Sequence, residues 1–321
     1  MRKATMKDIA REAGVSVATV SYILNKVNNQ TITEETRRRV LDAAGKLNYV
    51  PSLTARSLVK GKSGMLGLLY NRSGKDGFWK QLYYGYLSER MEDLCKRKGY
   101  HLLVLGLDAD QPNLDIVQQR EIDGVLLVDV KKEVFLDISV HFDRGVPVVL
   151  MDSMIDDPLF HKIIFDFKTA FESWRNRNSQ SGEKGFLVMS SYVNEGMAEE
   201  IRLAASMDPD KVFILDADNQ KELNDFLQQN QGNPGVIINE FAALQVSRVS
   251  HHNSHDLTVF CTSGCPDVLP PGMKTLMMEH PQKHVESAFQ IMEYYIKSRR
   301  KASDRLDDGG PFEQYVSISL G

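Results

Sequence analysis

The amino-acid sequence predicts a chain in two parts: a small all-α head, and a larger α/β body of doubly wound parallel sheets arranged in two lobes. Three observations carry this. Over residues 6–25, apolar residues recur at helical spacing on both sides of a tight Gly14-Val15 turn. From residue 65 onward, short continuous runs of Val, Ile and Leu alternate with helical stretches, the pattern of parallel strands buried on both faces. Charge is also divided unevenly: residues 1–62 hold twelve Lys/Arg against five Asp/Glu, a balance of +7, and the remainder comes to −11. A basic head on an acidic body directs a polyanion to one end of the molecule.

In the head, Ile9, Ala10 and Ala13 form one face of a first helix. Ser16 offers an N-cap oxygen to a second helix, which turns Val20, Ile23 and Leu24 inward. The opposite face shows Val17, Ala18, Ser21, Tyr22 and Asn25, small or hydrogen-bonding groups suited to a groove. A helix-turn-helix reads DNA in this way, with the N-terminal part of its second helix against base edges. Thr33 caps a third helix with Glu34 and Glu35 in its first turn and Val40, Leu41, Ala44 and Leu47 as its apolar stripe. Tyr49-Val50-Pro51 ends that helix, since the residue before proline is pushed out of helical geometry. Residues 52–59 have length for two helical turns, too few to be stable alone in water, and are expected to fold on DNA. Gly61, Ser63 and Gly64 make a linker, placing the domain boundary near Lys62.

The body's strand-like runs are 65–70, 101–107, 124–130, 146–151, 162–167, 185–190, 211–215, 235–239, 257–261 and 274–278. That number exceeds a comfortable single sheet, so two lobes are expected, with any ligand at the carboxyl ends of the strands in the cleft between them. The expected division is 1–50 for the DNA-binding domain, 51–62 for a hinge helix and linker, and 63–321 for the body. Within the body, 63–156 and 281–310 are assigned to the first lobe, 157–280 and 311–321 to the second.

Several classes are disfavoured. No apolar run approaches the ~20 residues of a membrane span, and the start has no secretory apolar region, so no membrane partner and a cytoplasmic location are expected. Three cysteines (Cys95, Cys261, Cys265) without framework spacing fit a reducing compartment. His251, His252 and His255 with Cys261 and Cys265 match no zinc spacing, and surface histidines with buried cysteines are the simpler reading. No nucleophile elbow, zinc-protease, phosphate-loop or dinucleotide motif is present, so neither an enzyme nor a cofactor is expected. Asp156-Asp157 and Asp307-Asp308 read as solvated turns.

The stretch MKDIAREAGVSVATVSYILN, followed by TEETRRRVLDAAGKLNYVPSLTARSL, strongly resembles the lactose-repressor (LacI/GalR) family of bacterial transcription regulators. The resemblance is continuous over about the first 62 residues. The remainder is similar to that family's periplasmic-binding-protein-like effector domain, with Asp123-Gly124 and Asn239-Glu240 before Ala243 among its landmarks. The resemblance implies a regulator, first of all a repressor, that binds a double-stranded, palindromic DNA operator as a homodimer and answers to a small molecule such as a sugar or sugar phosphate. It implies that Thr5, Ser16, Thr19, Ser21, Asn25 and Tyr49 hold phosphates. Val17, Ala18 and Tyr22 match base-reading positions, against which stands ordinary exposed helix surface. The family usually has Arg where Tyr22 stands. A tyrosine offers one hydroxyl and a ring suited to a thymine methyl, so the operator is expected to depart from the family's usual half-site.

Leu58 is similar to the family's hinge leucine, which wedges open a base step in the minor groove, with Ser52, Ala55 and Arg56 on the same element. A linker leucine packed on the body is the alternative. The stretch NRSGKDGFW (71–79) occupies the place of a cleft-lining segment, which implies Asn71 or Arg72 as polar partners and Phe78 and Trp79 as stacking rings. Packing of these aromatics between lobes or at a dimer face stands beside that reading. Asp152 and Glu240 match acidic positions that grip sugar hydroxyls, or else cap turns. The family's arginine before the second-lobe glycine has no clear equivalent in SYVNEGMAEEIR. Two alternatives to small-molecule control remain: a protein co-effector, or no ligand at all. A solute-binding transport protein is the reading of the body taken alone.

Overall fold

The computed structural model describes residues 4–24, 31–49, 63–142, 146–178, 185–249, 256–298 and 311–321. The chain divides into two compact units, Met1–Ser63 and Gly64–Gly321. In the first, helix α1 (Met6–Ala13) opens with a capping box: the Thr5 hydroxyl accepts from the Asp8 amide, and the Asp8 carboxylate accepts from the Thr5 amide at 2.9 Å. It stops at Gly14, whose φ of 63° is left-handed backbone that a glycine adopts without steric cost. Helix α2 (Val17–Leu24) starts at Ser16, which accepts from the Thr19 amide at 3.0 Å. Helix α3 (Glu34–Lys46) is capped by Thr33. Ile9, Ala10, Ala13, Val20, Ile23, Val40 and Ala43 form the core, with Tyr49 packed at its edge. Leu41, expected inside, is 50% exposed. With Val40 inward, a helical period turns residue 41 about 100° away and brings Ala43 beneath instead.

In the second unit β1 (Met65–Arg72), α4 (Phe78–Lys98), β2 (His101–Asp108), α5 (Asp115–Gln119), β3 (Gly124–Val128), α6 (Lys132–Ser139), β4 (Val148–Met151) and β5 (His161–Phe165) come first. Then follow α7 (Phe167–Arg177), β6 (Phe186–Ser190), α8 (Glu195–Ala205), β7 (Val212–Leu215), α9 (Gln220–Gln229), β8 (Gly235–Ile238), α10 (Glu240–Val249), β9 (Leu257–Cys261) and β10 (Lys274–Met277). The chain returns through α11 (Lys283–Ser298) and β11 (Tyr315–Ile318). One sheet has the order β11-β5-β4-β3-β1-β2, the other β10-β9-β8-β6-β7, and all pairs are parallel. The body is therefore two doubly wound lobes, as the alternating runs predict. Strands β3, β4, β8 and β9 are buried along their whole length, which is why they read as unbroken apolar runs. The edge strands β2 and β7 are mostly half-buried or exposed.

The lobe division differs from the expectation at two places. β5 and β11, assigned to the second lobe from the sequence, pair with each other in the first sheet. The chain crosses after Phe165, again between Met277 and Lys283, and a third time beyond Ile318, where Gly321 exchanges both backbone hydrogen bonds with Met277. An apolar run states that a strand is buried, not which sheet receives it. In each sheet the winding direction reverses beside the first strand, at β1/β3 and at β6/β8, and the carboxyl ends of these strands face one cleft. Among the described residues, no helix is long and apolar enough to cross a membrane.

Candidate functional site

The head offers a surface. The buried face of α2 is anchored through Val20 and Ile23, which leaves Ser16, Val17, Ala18 and Tyr22 exposed and Thr19 and Ser21 half-buried. Val17 and Tyr22 stand 43% and 37% exposed, outside the head core formed by the described residues. The Thr5 hydroxyl donates to the Asp8 carboxylate at 2.7 Å, so its proton is engaged within the cap. Ser16 and Thr19 share one hydrogen bond at 2.9 Å, which engages one of their two hydroxyl protons. Tyr49 is half-buried against the head core. Asn25, and the hinge residues Ser52, Ala55, Arg56 and Leu58, lie outside the described residues.

The cleft is built at the switch points. Asp129, Asp152 and Asn239 are each the first residue beyond a buried strand (β3, β4, β8), and each has left-handed backbone, with φ of 53°, 50° and 82°. Asp and Asn tolerate that conformation better than other residues with a β-carbon, and it swings their side chains across the strand ends. Helix α4 enters from the first lobe. Its Gly77 N-cap lies under the Trp79 indole, which would stand 2.1 Å from a β-carbon there, so the close approach needs glycine.

One turn into α4, the Lys80 ammonium lies 2.6 Å from Asp129, 3.0 Å from Asp76 and 2.9 Å from the carbonyl oxygen of Ser191. Burial alone would lower its pKa. Asp129 and then Asp76 more than offset that and hold it above the ordinary lysine value. The rings of Tyr84 and Tyr192 flank it at 6.0 and 5.9 Å. Tyr83 donates to Asp152 at 2.7 Å. Burial pushes the Asp152 carboxyl up to about 6, against the Tyr83 hydrogen bond that favours its charged form, with Asp129 adding to the rise. Only about 30 Å³ of space remains among these groups.

Of the six effector residues expected from the sequence, Trp79 and Asp152 line this cavity. Asn71 is fully buried in β1, alternating with Tyr70 and so turned to the other face of the sheet; its side-chain atoms have no hydrogen-bond partner among the described residues. Arg72 is exposed and lies over Gly106 of the edge strand. Phe78 is 38% exposed and stacks under Arg248. Glu240 turns inward and organises the 262–265 loop, accepting from the Ser263 hydroxyl at 2.6 Å, the Ser263 amide at 3.0 Å and the Cys265 amide at 2.8 Å. Its place is therefore a loop brace, the capping alternative, not a ligand contact.

Sequence reasoning passed over Lys80, Asp129, Tyr192 and Asn194. Asp129 carried the same signal as Asp152, an acidic residue directly after a buried apolar run. Lys80 was visible as the one cation among the aromatics of FWKQLYYGY. Among the described residues no group of His, Cys, Asp and Glu is placed to hold a metal, and His251, His252 and His255 lie outside them. Burial pushes the Cys95 thiol up to about 12 and Cys261 higher still, so both are inert packing groups.

Residues 5–52 match the family model for bacterial regulatory proteins of the lacI family. An HTH-type transcriptional repressor PurR of Aliivibrio salmonicida is 32% identical over 199 residues, covering 60% of this chain and 53% of that protein. The chain thus spans about half the length of the curated relatives it matches first. A lac repressor dimer bound to operator and the anti-inducer ONPF superimposes with a TM-score of 0.70 at 16% identity, over 99% of this chain and 98% of the other. A complex of the transcriptional regulator CelR with cellobiose gives 0.56 at 16% identity, over 99% and 98%. At such identities the likeness is one of fold.

Proposed function

We propose that the chain is a member of the lacI family of bacterial regulatory proteins, whose model residues 5–52 match, and that it is a sequence-specific DNA-binding repressor, not an enzyme, acting as a homodimer in the cytoplasm. The observation that carries the reading is the α2 surface. A helix locked to its core by Val20 and Ile23 presents Val17, Ala18 and Tyr22 outward, at the point where a helix-turn-helix meets base edges. Ser16 with Thr19, Thr5, Ser21, Asn25 and Tyr49 are the proposed phosphate contacts. Leu58, with Ser52, Ala55 and Arg56, is the proposed minor-groove wedge.

The domain division is proposed as 1–50, 51–62 and 63–321. Dimerisation is supported by the first lobe's uncovered edge strand β2, which borders an open groove of about 730 Å³ along α4. Val104 and Leu82 stand about two-fifths exposed on these two elements. Two heads on one dimer would read half-sites about one turn apart, ~34 Å.

The body is the proposed regulatory part. A sugar-like effector meets suitable groups in Asp152 and Trp79, whereas a sugar phosphate would meet Asp129 and Asp152 with the single ammonium of Lys80 already paired. Selection of binding sites from random duplex DNA tests the reading. The expected product is a two-fold site whose half-sites place a thymine opposite Tyr22. Tyr22→Arg should move that position towards guanine, by about 1–3 kcal/mol. Failure to enrich any sequence would remove the proposal.

A further inference from the structure

We propose that the cleft is occupied by the chain itself: the Lys80 ammonium stands where an effector would, and the lobes hold their closed arrangement with no ligand bound. The inference rests on the DNA-binding reading of the chain and departs from the sugar-like effector weighed for its body: the cleft is closed by the chain's own groups.

An ammonium group has three N–H donors. Lys80 donates to Asp129 in the first lobe and to the Ser191 carbonyl in the second, and its charge is further paired with Asp76 at 3.0 Å. No unpaired cation is left for a ligand. Asp129 completes the link, because its other oxygen accepts from the Asn194 amide of the second lobe at 2.9 Å.

Asn194 is fully buried and fastens the same seam with its side chain. It donates to the Val130 carbonyl at 2.7 Å and accepts from the Met154 amide at 2.9 Å, both in the first lobe. The same oxygen also accepts from the Met197 amide and caps α8, so the seam is tied to the frame of the second lobe. Two further hydrogen bonds join the lobes: the Ala217 amide donates to the Lys75 carbonyl at 3.0 Å, and the Tyr86 hydroxyl donates to the Gly264 carbonyl at 3.1 Å.

Two further pairs facing the cavity are engaged with each other: Tyr83 with Asp152, and Asn239 with Thr262. The 30 Å³ that remains suits about one water molecule, far below the several hundred Å³ of a small-molecule site. A ligand could enter only by displacing a lysine that is tethered to the cleft wall. Operator binding by this chain is then independent of a small molecule in the cleft.

Amide hydrogen exchange on the full-length protein, dialysed free of small molecules, tests this. The Asn194, Met154 and Ala217 amides each donate across the seam, and all three are expected to be strongly protected without ligand. Lys80→Met should speed their exchange at least tenfold, while Ile201 and Phe260, within the frame of the second lobe, keep their rates. Should Lys80→Met unfold the body, shown by loss of protection at Ile201 and Phe260, the triple variant Lys80→Met, Asp129→Asn, Asp76→Asn removes the unpaired charges, and the same selective loss is expected. Unprotected seam amides in the ligand-free wild type would overturn the proposal. So would protection unchanged in a folded Lys80 variant. Failure of the DNA selection would leave this amide pattern intact, so the two readings fail separately.

Discussion

The head and the cleft carry the same kinds of group, hydroxyls, carboxylates and aromatic rings at the ends of regular elements, and present them in opposite ways. On α2 the Ser16 cap satisfies the start of the helix locally, and Val17, Ala18 and Tyr22 stand exposed. In the cleft, Lys80, Asp129, Tyr83 and Asp152 are buried and turned upon one another. The difference separates a surface prepared for an outside partner from a polar core that serves closure. Polar groups cluster at both places, so clustering alone does not mark a binding site. Exposure of the cluster's groups at a surface does.

Perturbing the cleft should therefore change stability, and perturbing the α2 face should change DNA binding. The largest expected effect is that of Lys80→Met, which leaves two buried carboxylates without their cation and should cost about 3–5 kcal/mol in urea unfolding of the full chain. A loss below ~1 kcal/mol would show that the network is wetter than its geometry implies.

Asp152 comes next. Its carboxyl is held at about 6, above the ordinary aspartate value, so the folded body binds that proton more tightly than the unfolded chain. Stability should rise as pH falls from about 7 through 6 towards 4, by about 3 kcal/mol in all. Asp152→Asn should flatten this slope in thermal unfolding across that range.

Ser16→Ala removes the cap on the Thr19 amide and should cost the head about 1 kcal/mol, read as a lower unfolding temperature of the helical signal. The smallest stability change is expected for Tyr22→Phe, within ~0.5 kcal/mol, with a measurable loss of operator affinity in a fluorescence titration. Were Tyr22→Phe to destabilise the head strongly, the contrast between open surface and closed cleft would fail at its first term.

Legibility followed the range of the interaction. Thr5, Gly14, Ser16 and Thr33 were readable because a cap or a left-handed stop is decided within four residues. The body's strands were readable because burial on both faces leaves an unbroken apolar run. The sites divided along the same line. The exposed α2 positions follow from helical period once Val20 and Ile23 are placed inside. Asn71 and Glu240 misled, since a polar residue beside a strand end can face the cleft, the sheet's other face or its own loop, and sequence does not distinguish these. Leu41 was misplaced by one helical position.

What the sequence by itself determined was the two-part architecture, the order of helices and strands, and the face that α2 presents, all products of short-range periodicity and capping. Only the tertiary structure decided that β5 and β11 share the first sheet, and that Lys80, Asp129, Ser191 and Asn194 meet. These residues are separated by up to 114 positions in the chain. Their meeting depends on where three crossings bring two sheets together, and no local propensity encodes such a distance.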